Sequence, residues 1–294
     1  MTMVFVIASC AGRTPRFESA EAYSISVVDV LGEGSLGRPG ALVVDWAGSV
    51  YVCDRSGNRV VALDPDGSVR AETGGFGRIS GLFDGPSDIA LDGALAIVVA
   101  DRGNRRVVRF DRDLNFAGDV PENTELASRF GRLTGVAAAP GGDLWMADED
   151  ERALWRTDAF GTALHFENFY ATRGRLIEPR GITSDRDGFV FVADAGAGIV
   201  SVFDPLGVHV GDLGSGVVGS PLDVALREDI VAVADAEAGV VLLSHRGRRI
   251  EIASGGMPRL GLVSGVAFND RGRLYVSDAV GGRVVVLSVT AVEQ

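Results

Sequence analysis

The 294-residue sequence predicts an all-β fold: a six-bladed β-propeller with four strands per blade, its ring closed by an N-terminal strand. Three observations carry this. A unit of 41–47 residues recurs six times, each copy holds short β-rich runs broken by Gly/Asp turns, and the last copy lacks a strand that stands spare at the other end of the chain.

The copies begin at Pro39, Pro86, Leu133, Pro179, Pro221 and Val263. Each runs to an aspartate: Asp54, Asp101, Asp148, Asp194, Asp235 and Asp278, spaced by 47, 47, 46, 41 and 43 residues. From the first residue of a copy to its aspartate is 15 positions, or 14 in the fifth. A period of this length holding four strand signals is that of a propeller blade. In the first copy Val43-Val44 and Val50 to Val52 flank Asp45-Trp46-Ala47-Gly48 and read as strand, turn, strand. Val60 to Leu63 is a third strand, Asp64-Pro65-Asp66-Gly67 a turn, and Val69 to Thr73 a fourth strand. The sixth copy ends soon after Leu287 without a fourth strand, whereas Ser24 to Leu31 precedes the first copy. Residues 23–31 are therefore expected to pair with 283–289, completing the last blade and leaving no open end. Residues 23–294 form one propeller on this reading.

Residues 1–22 are set apart. Ile7-Ala8-Ser9-Cys10 resembles a bacterial lipobox, with Cys10 the lipidation candidate and a polar tether after it. It implies an exported, periplasmic or outer-surface protein that meets the membrane only through an N-terminal lipid anchor. The nine residues before Cys10 hold no basic residue, so a secretory signal is incomplete in this stretch.

Composition narrows the chemistry. Apolar residues make up 46% of the chain, and 40 Gly against 10 Pro without a period of three suit many tight turns. All 28 basic residues are Arg, so Schiff-base and P-loop lysine chemistry is excluded. A net charge of -12 argues against a nucleic-acid partner.

The pattern P-x-G-[VI]-A-x-D, then G-x-[IL]-[YFW]-V-[AS]-D, then R-[VI]-x-x-[FL]-D, is clearest at residues 38–67, 85–113, 178–207 and 263–287 and resembles the NHL-repeat family. The resemblance covers about residues 23–289, with a degenerate fifth unit. Lactonases and lyases share the architecture, and the NHL modules of tripartite-motif proteins bind RNA; the intact repeat, the lack of a catalytic cluster and the export-like start point to a binding module instead.

The six marker aspartates read as structural repeat residues that accept N–H groups of the following turn. Arg59, Arg106 and Arg283, five positions after Asp54, Asp101 and Asp278, are placed to add a charged bond. Cys53 replaces small strand residues and reads as a core thiol. Tyr51, Trp145, Phe191 and Tyr275 share one column and are expected to pack between blades. His165, His209 and His245 fall in or beside outer strands, which disfavours a three-histidine zinc site. A divalent cation is conceivable on oxygen ligands, with Asp88, Glu178 and Asp223 as weak candidates. The alternative for Asp88 and Asp223 is local capping, where other copies carry Gly135, Gly181 and Gly265.

Ligand contacts are expected on the loop face. Arg55, Arg59, Arg102, Arg105 and Arg106 form a basic sector, Glu149, Asp150, Glu151 and Arg152 an acidic one, and the turns near Gly196 and Gly239 a flat one. Arg180 stands where other copies hold Gly40, Ser87, Thr134, Leu222 and Ser264, and is the expected anion contact. Loops 74–86 and 121–133 could form a rim. The leading expectation is thus a non-catalytic module, without a required cofactor, binding a protein, peptide or glycan through this face and the residues Arg180, Arg55, Arg59, Arg102, Arg105, Asp88 and Asp223. The alternatives are a metal-dependent channel enzyme of lactonase or lyase type and an RNA-binding module, the latter opposed by the net charge.

Overall fold

A computed structural model describes residues 22–93, 95–120, 128–157, 163–166, 174–244, 250–254 and 258–292. The segment holding Cys10, residues 121–127 of the expected rim loop 121–133, and His245 lie outside the described residues. Twenty-four strands form six blades, and no helix occurs among the described residues.

The chain opens with β1 (Ala22–Leu31) and then lays down blade one as β2 (Pro39–Val44), β3 (Val50–Asp54), β4 (Arg59–Leu63) and β5 (Val69–Gly74). Blade two is β6 (Pro86–Asp92), β7 (Ala96–Asp101), β8 (Arg106–Asp111) and β9 (Phe116–Val120). Blade three is β10 (Leu133–Ala138), β11 (Leu144–Asp148), β12 (Ala153–Thr157) and β13 (Ala163–Phe166). Blade four is β14 (Pro179–Ser184), β15 (Val190–Asp194), β16 (Ile199–Phe203) and β17 (His209–Leu213). In blades one to four each strand pairs antiparallel with the next, and the first strand lies at the channel.

The constant interval of the repeat is the length of the first hairpin. The first residue of every copy pairs with its aspartate: Pro39 with Asp54, Pro86 with Asp101, Leu133 with Asp148, Pro179 with Asp194, Pro221 with Asp235 and Val263 with Asp278. The fifth interval is shorter because that hairpin turns on only Glu228 and Asp229, between the paired Arg227 and Ile230. Glu228 takes the left-handed conformation this tight turn needs, at φ 50°.

The last two blades depart from the simple count. Blade five keeps β18 (Pro221–Arg227), β19 (Ile230–Asp235) and β20 (Gly239–Ser244). The next strand, β21 (Glu251–Ser254), pairs in parallel with β1 instead. Blade six, with β22 (Val263–Phe268), β23 (Arg273–Asp278) and β24 (Arg283–Ala291), therefore becomes five-stranded in the order β21-β1-β24-β23-β22. The ring closure follows expectation: β1 runs antiparallel to β24 from Tyr23 opposite Ala291 to Leu31 opposite Val284. Its other edge offers unpaired N–H and C=O groups, and β21 takes them up.

The core is six apolar clusters, one between each pair of neighbouring blades. Tyr51, Trp145, Phe191 and Tyr275 sit in four different clusters, all buried. No cluster belongs to one blade alone, so each blade depends on its neighbours for burial.

Candidate functional site

The six repeat aspartates, all buried, hold the loop face in shape. Asp54 accepts the N–H groups of Gly37 and Arg38, the Ser56 hydroxyl and the Arg59 guanidinium. Asp194 accepts Ile177, Glu178 and Ala197 N–H, and Asp235 accepts those of Gly219, Ser220, Glu237 and Ala238. Asp148 takes Gly131, Asp150 and Glu151 N–H and the Trp155 indole. Each carboxylate thus ties the turn after its strand to the loop entering its own blade, a second partner that the repeat alone did not reveal. Burial pushes Asp54 up, but the bonds from Arg38, Gly37, Ser56 and Arg59 outweigh it and leave the group below the ordinary carboxylate value. At Asp101 burial prevails over Asn104, Asp84 and Arg106, and the group is raised.

The basic and acidic sectors expected on this face are not separate. Arg102 of blade two makes a two-nitrogen contact with Glu149 of blade three at 2.8 and 2.6 Å. Arg105 approaches Asp150 at 3.8 Å, and Arg132 lies 2.7 Å from Asp150 and 3.9 Å from Glu149. Arg180 pairs with Glu178 and lies 3.8 Å from Glu149. Glu149 is the focus of this network, a role hidden in the sequence because its partners come from two other blades. Arg59 is held by Asp54, Glu72 and the Ser35 carbonyl. Arg55 differs. Among the described residues it makes no ion pair, and its guanidinium has one hydrogen bond, to the Ser87 carbonyl at 3.5 Å. Its side chain lies across Gly40, where a Cβ would sit 2.9 Å from its Nε. Arg55 is exposed, and its contacts with Gly40 and the Ser87 carbonyl set it over the channel ends of β2 and β6. Burial by the surrounding protein lowers its guanidinium, and the charge of nearby Arg180 adds to that.

Below the mouth the first strands are stitched together. The Ser87, Thr134 and Ser264 hydroxyls donate to the Leu133, Pro179 and Pro39 carbonyls of the next blade at 2.9, 2.8 and 2.6 Å. One step further in stand Asp88 and Asp223, both buried. Asp88 accepts its neighbour Ile89 N–H at 2.8 Å and Val136 N–H of blade three at 2.9 Å. Asp223 repeats this with Val224 N–H at 2.8 Å and Val266 N–H of blade six at 2.9 Å. They are local caps and inter-blade links at once. Asp223 fills space that only Gly181 leaves open, since a Cβ there would strike its carboxylate. Both carboxyls are raised: Asp88 by burial and then by Asp223, and Asp223 by burial, to about 7. The pair therefore retains a proton near neutrality. Cys53, buried close by, has its thiol pushed up by burial and by Asp88. Asp88 and Asp223 also line a small channel cavity of about 200 Å³.

The structure does not gather the suggested metal ligands. Glu178 is engaged by Arg180, and both oxygens of Asp88 and of Asp223 accept backbone N–H groups. Among the described residues no three His, Cys, Asp or Glu side chains are placed to hold one metal ion. His165 stacks on Trp155 in blade three and His209 bonds Asp212 at 2.8 Å in blade four, both on outermost strands.

Neither a family model nor a curated protein matches the sequence. Solved structures do match in shape. A gluconolactonase from Xanthomonas campestris superposes with a TM-score of 0.66 at 16% identity, over 93% of this chain and 99% of that one. The virginiamycin B lyase from Staphylococcus aureus gives 0.63 at 10% identity, over 90% and 99%. A Bacteroides thetaiotaomicron protein of unknown function gives 0.66 at 13% identity, over 92% and 76%. The strand pairing and these likenesses together show a six-bladed β-propeller.

Proposed function

We propose that this chain is a non-catalytic binding propeller of NHL type, exported and held by a lipid on Cys10, that takes an anionic group of a protein, peptide or glycan at its channel mouth. Arg55 and Arg180 are the contacts. The observation that carries the reading is Arg55: an accessible guanidinium without an ion pair among the described residues, set beside a second guanidinium. Arg180 already has Glu178 as its partner, so the uncompensated charge is that of Arg55, and an anion bound there neutralises it. The nearby Arg102, Arg105 and Arg59 serve to hold the loops through their carboxylate partners. Those pairings also neutralise the basic sector and weigh against RNA.

The test is calorimetric titration with an acidic peptide and with its amide-side-chain counterpart. The acidic peptide is expected to bind, and Arg55→Ala to weaken it about tenfold, the ordinary value of one charged contact. Equal binding of the neutral peptide, or an unchanged affinity in Arg55→Ala, refutes the reading.

The likeness to a gluconolactonase and a lyase favours one second reading, a metal-assisted lactone or lyase reaction in the channel. The backbone bonds that occupy Asp88 and Asp223, and the Glu178–Arg180 pair, weigh against it. Metal analysis of purified protein with a gluconolactone hydrolysis assay separates the two. A stoichiometric metal together with turnover would put the enzyme first.

A further inference from the structure

The opposite face, formed by the first-hairpin turns, carries a cleft of about 1080 Å³. It reaches from the lower end of the channel outward between blades four and five. Its floor and walls include Phe189, Phe191, Val202, Leu213, Leu226 and Phe268. Two departures from the repeat coincide there. The first hairpin of blade five is cut to a two-residue turn, and its sheet has three strands, with β21 joined to β1 after Ile250 bonds the Leu242 carbonyl, so β16 and β17 of blade four face a shortened neighbour. Val210 on β17 is 53% exposed, and a Cβ placed on Gly211 beside it would meet nothing within 4 Å.

Carboxylates outnumber guanidinium groups on the rim. Asp187, Glu228, Asp229 and Asp270 are exposed there, and none of the four makes an ion pair among the described residues. Of the two arginines on the lining, Arg227 donates to the Gly272 carbonyl at 3.1 Å, and Arg186 is exposed. The Arg-bearing loop face has the reverse character: its carboxylates are largely taken up by guanidinium groups. Apolar side chains in the walls under a largely acidic rim complement a segment in which apolar and cationic side chains alternate.

We infer that the cleft between blades four and five is a second binding site, which takes a basic, apolar-rich extended peptide segment of a partner protein. Apolar side chains enter against Phe189, Val202 and Leu213, and arginine or lysine side chains meet Glu228, Asp229 and Asp270. The site is independent of the loop face, and failure of the reading at Arg55 leaves it untouched.

The probe is a fluorescently labelled hexapeptide alternating arginine with leucine and phenylalanine, titrated into the full chain and read by anisotropy. The control peptide carries glutamate for arginine. Binding of the basic peptide is expected, falling about tenfold from low to physiological ionic strength because the rim charges are screened. The triple variant Glu228→Gln, Asp229→Asn, Asp270→Asn is expected to lose about tenfold or more. Gly211→Trp, which builds into open space, is expected to abolish binding, and Arg55→Ala to leave it unchanged. Equal affinity for the glutamate peptide, or wild-type affinity in the triple variant, overturns the inference. The triple variant changes only exposed residues and decides the matter if Gly211→Trp misfolds. A dimer in sedimentation that Gly211→Trp dissociates would assign the cleft to a second copy of the chain and also overturn it.

Discussion

Replacing Asp223 by asparagine should remove a pH dependence of stability that the wild-type channel imposes. Asp223 is buried in the folded protein and titrates at about 7, against an ordinary carboxylate value of 3.8 in the unfolded chain. Between those values the folded protein holds a proton that the unfolded chain has released. Stability from this group is therefore fully present at acidic pH and is lost as pH rises through the folded value. The slope is about 1.4 kcal/mol for each pH unit, so moving from about pH 5 to about pH 7 removes roughly 2 kcal/mol. For a chain of this size that is about 4–8 °C in Tm. An asparagine cannot ionise. It retains one acceptor for the Val224 or Val266 N–H and leaves the other short, lowering stability by about 1 kcal/mol at every pH. Thermal unfolding of both proteins across about pH 5 to 8 tests this. The wild-type Tm should decline relative to the variant's as pH rises. Contributions from Asp54 and Asp101 are common to both proteins and cancel in the comparison. Parallel curves would refute the raised value of Asp223, since Asp88 stays raised by its own burial in both proteins.

Four further outcomes follow from the geometry. Gly265→Ala would drive a Cβ into the Gly40 carbonyl and the Ala41 backbone, which have no rotamer to yield, and should cost about 1–3 kcal/mol in urea unfolding. Gly211→Ala, in open space, should stay within about 0.5 kcal/mol in the same measurement. Asp148→Ala strands three buried or half-buried N–H groups and the Trp155 indole, and should cost about 3 kcal/mol or more, with a change in tryptophan emission as the readout. Removing residues through Leu31 exposes the paired edges of both β24 and β21, and should convert a single thermal transition into earlier, broader melting with aggregation in size-exclusion chromatography.

Much of the fold could be read from residue order because a propeller repeats its local instructions. The interval from Pro39 to Asp54 marks the first hairpin, and recurs at Pro86 to Asp101 and Leu133 to Asp148. The spare strand at Ser24 to Leu31 found its place because the sixth copy visibly lacked one. The departure of β21 was not legible: it depends on a free edge of β1 that exists only after the ring has closed. The site was legible only in part. Arg180, Asp88 and Asp223 stand out against the repeat column, and Arg55 belongs to the basic sector of the first two copies, so their positions were found. Their partners were not, because Val136, Val266 and Glu149 lie in other blades and carry no local sign of the pairing. The cleft between blades four and five had a faint signal, the one-residue shortening before Asp235, which reads as simple degeneracy until the neighbouring β16 and β17 are seen.

The place of β1 between β24 and β21 also sets an order of events during synthesis. Of the strands in the ring, β1 is made first and must wait longest, since its two partners are the strands β21 and β24. Val27, Val28 and Val30 keep substantial exposure even in the finished ring. Until β24 emerges this valine-rich segment has both edges free and is the most exposed to pairing with another nascent chain. A bound chaperone, or passage across a membrane before folding, would shelter it through that interval. The molecule's yield should then depend less on its final stability than on how long one strand is kept from the wrong partner.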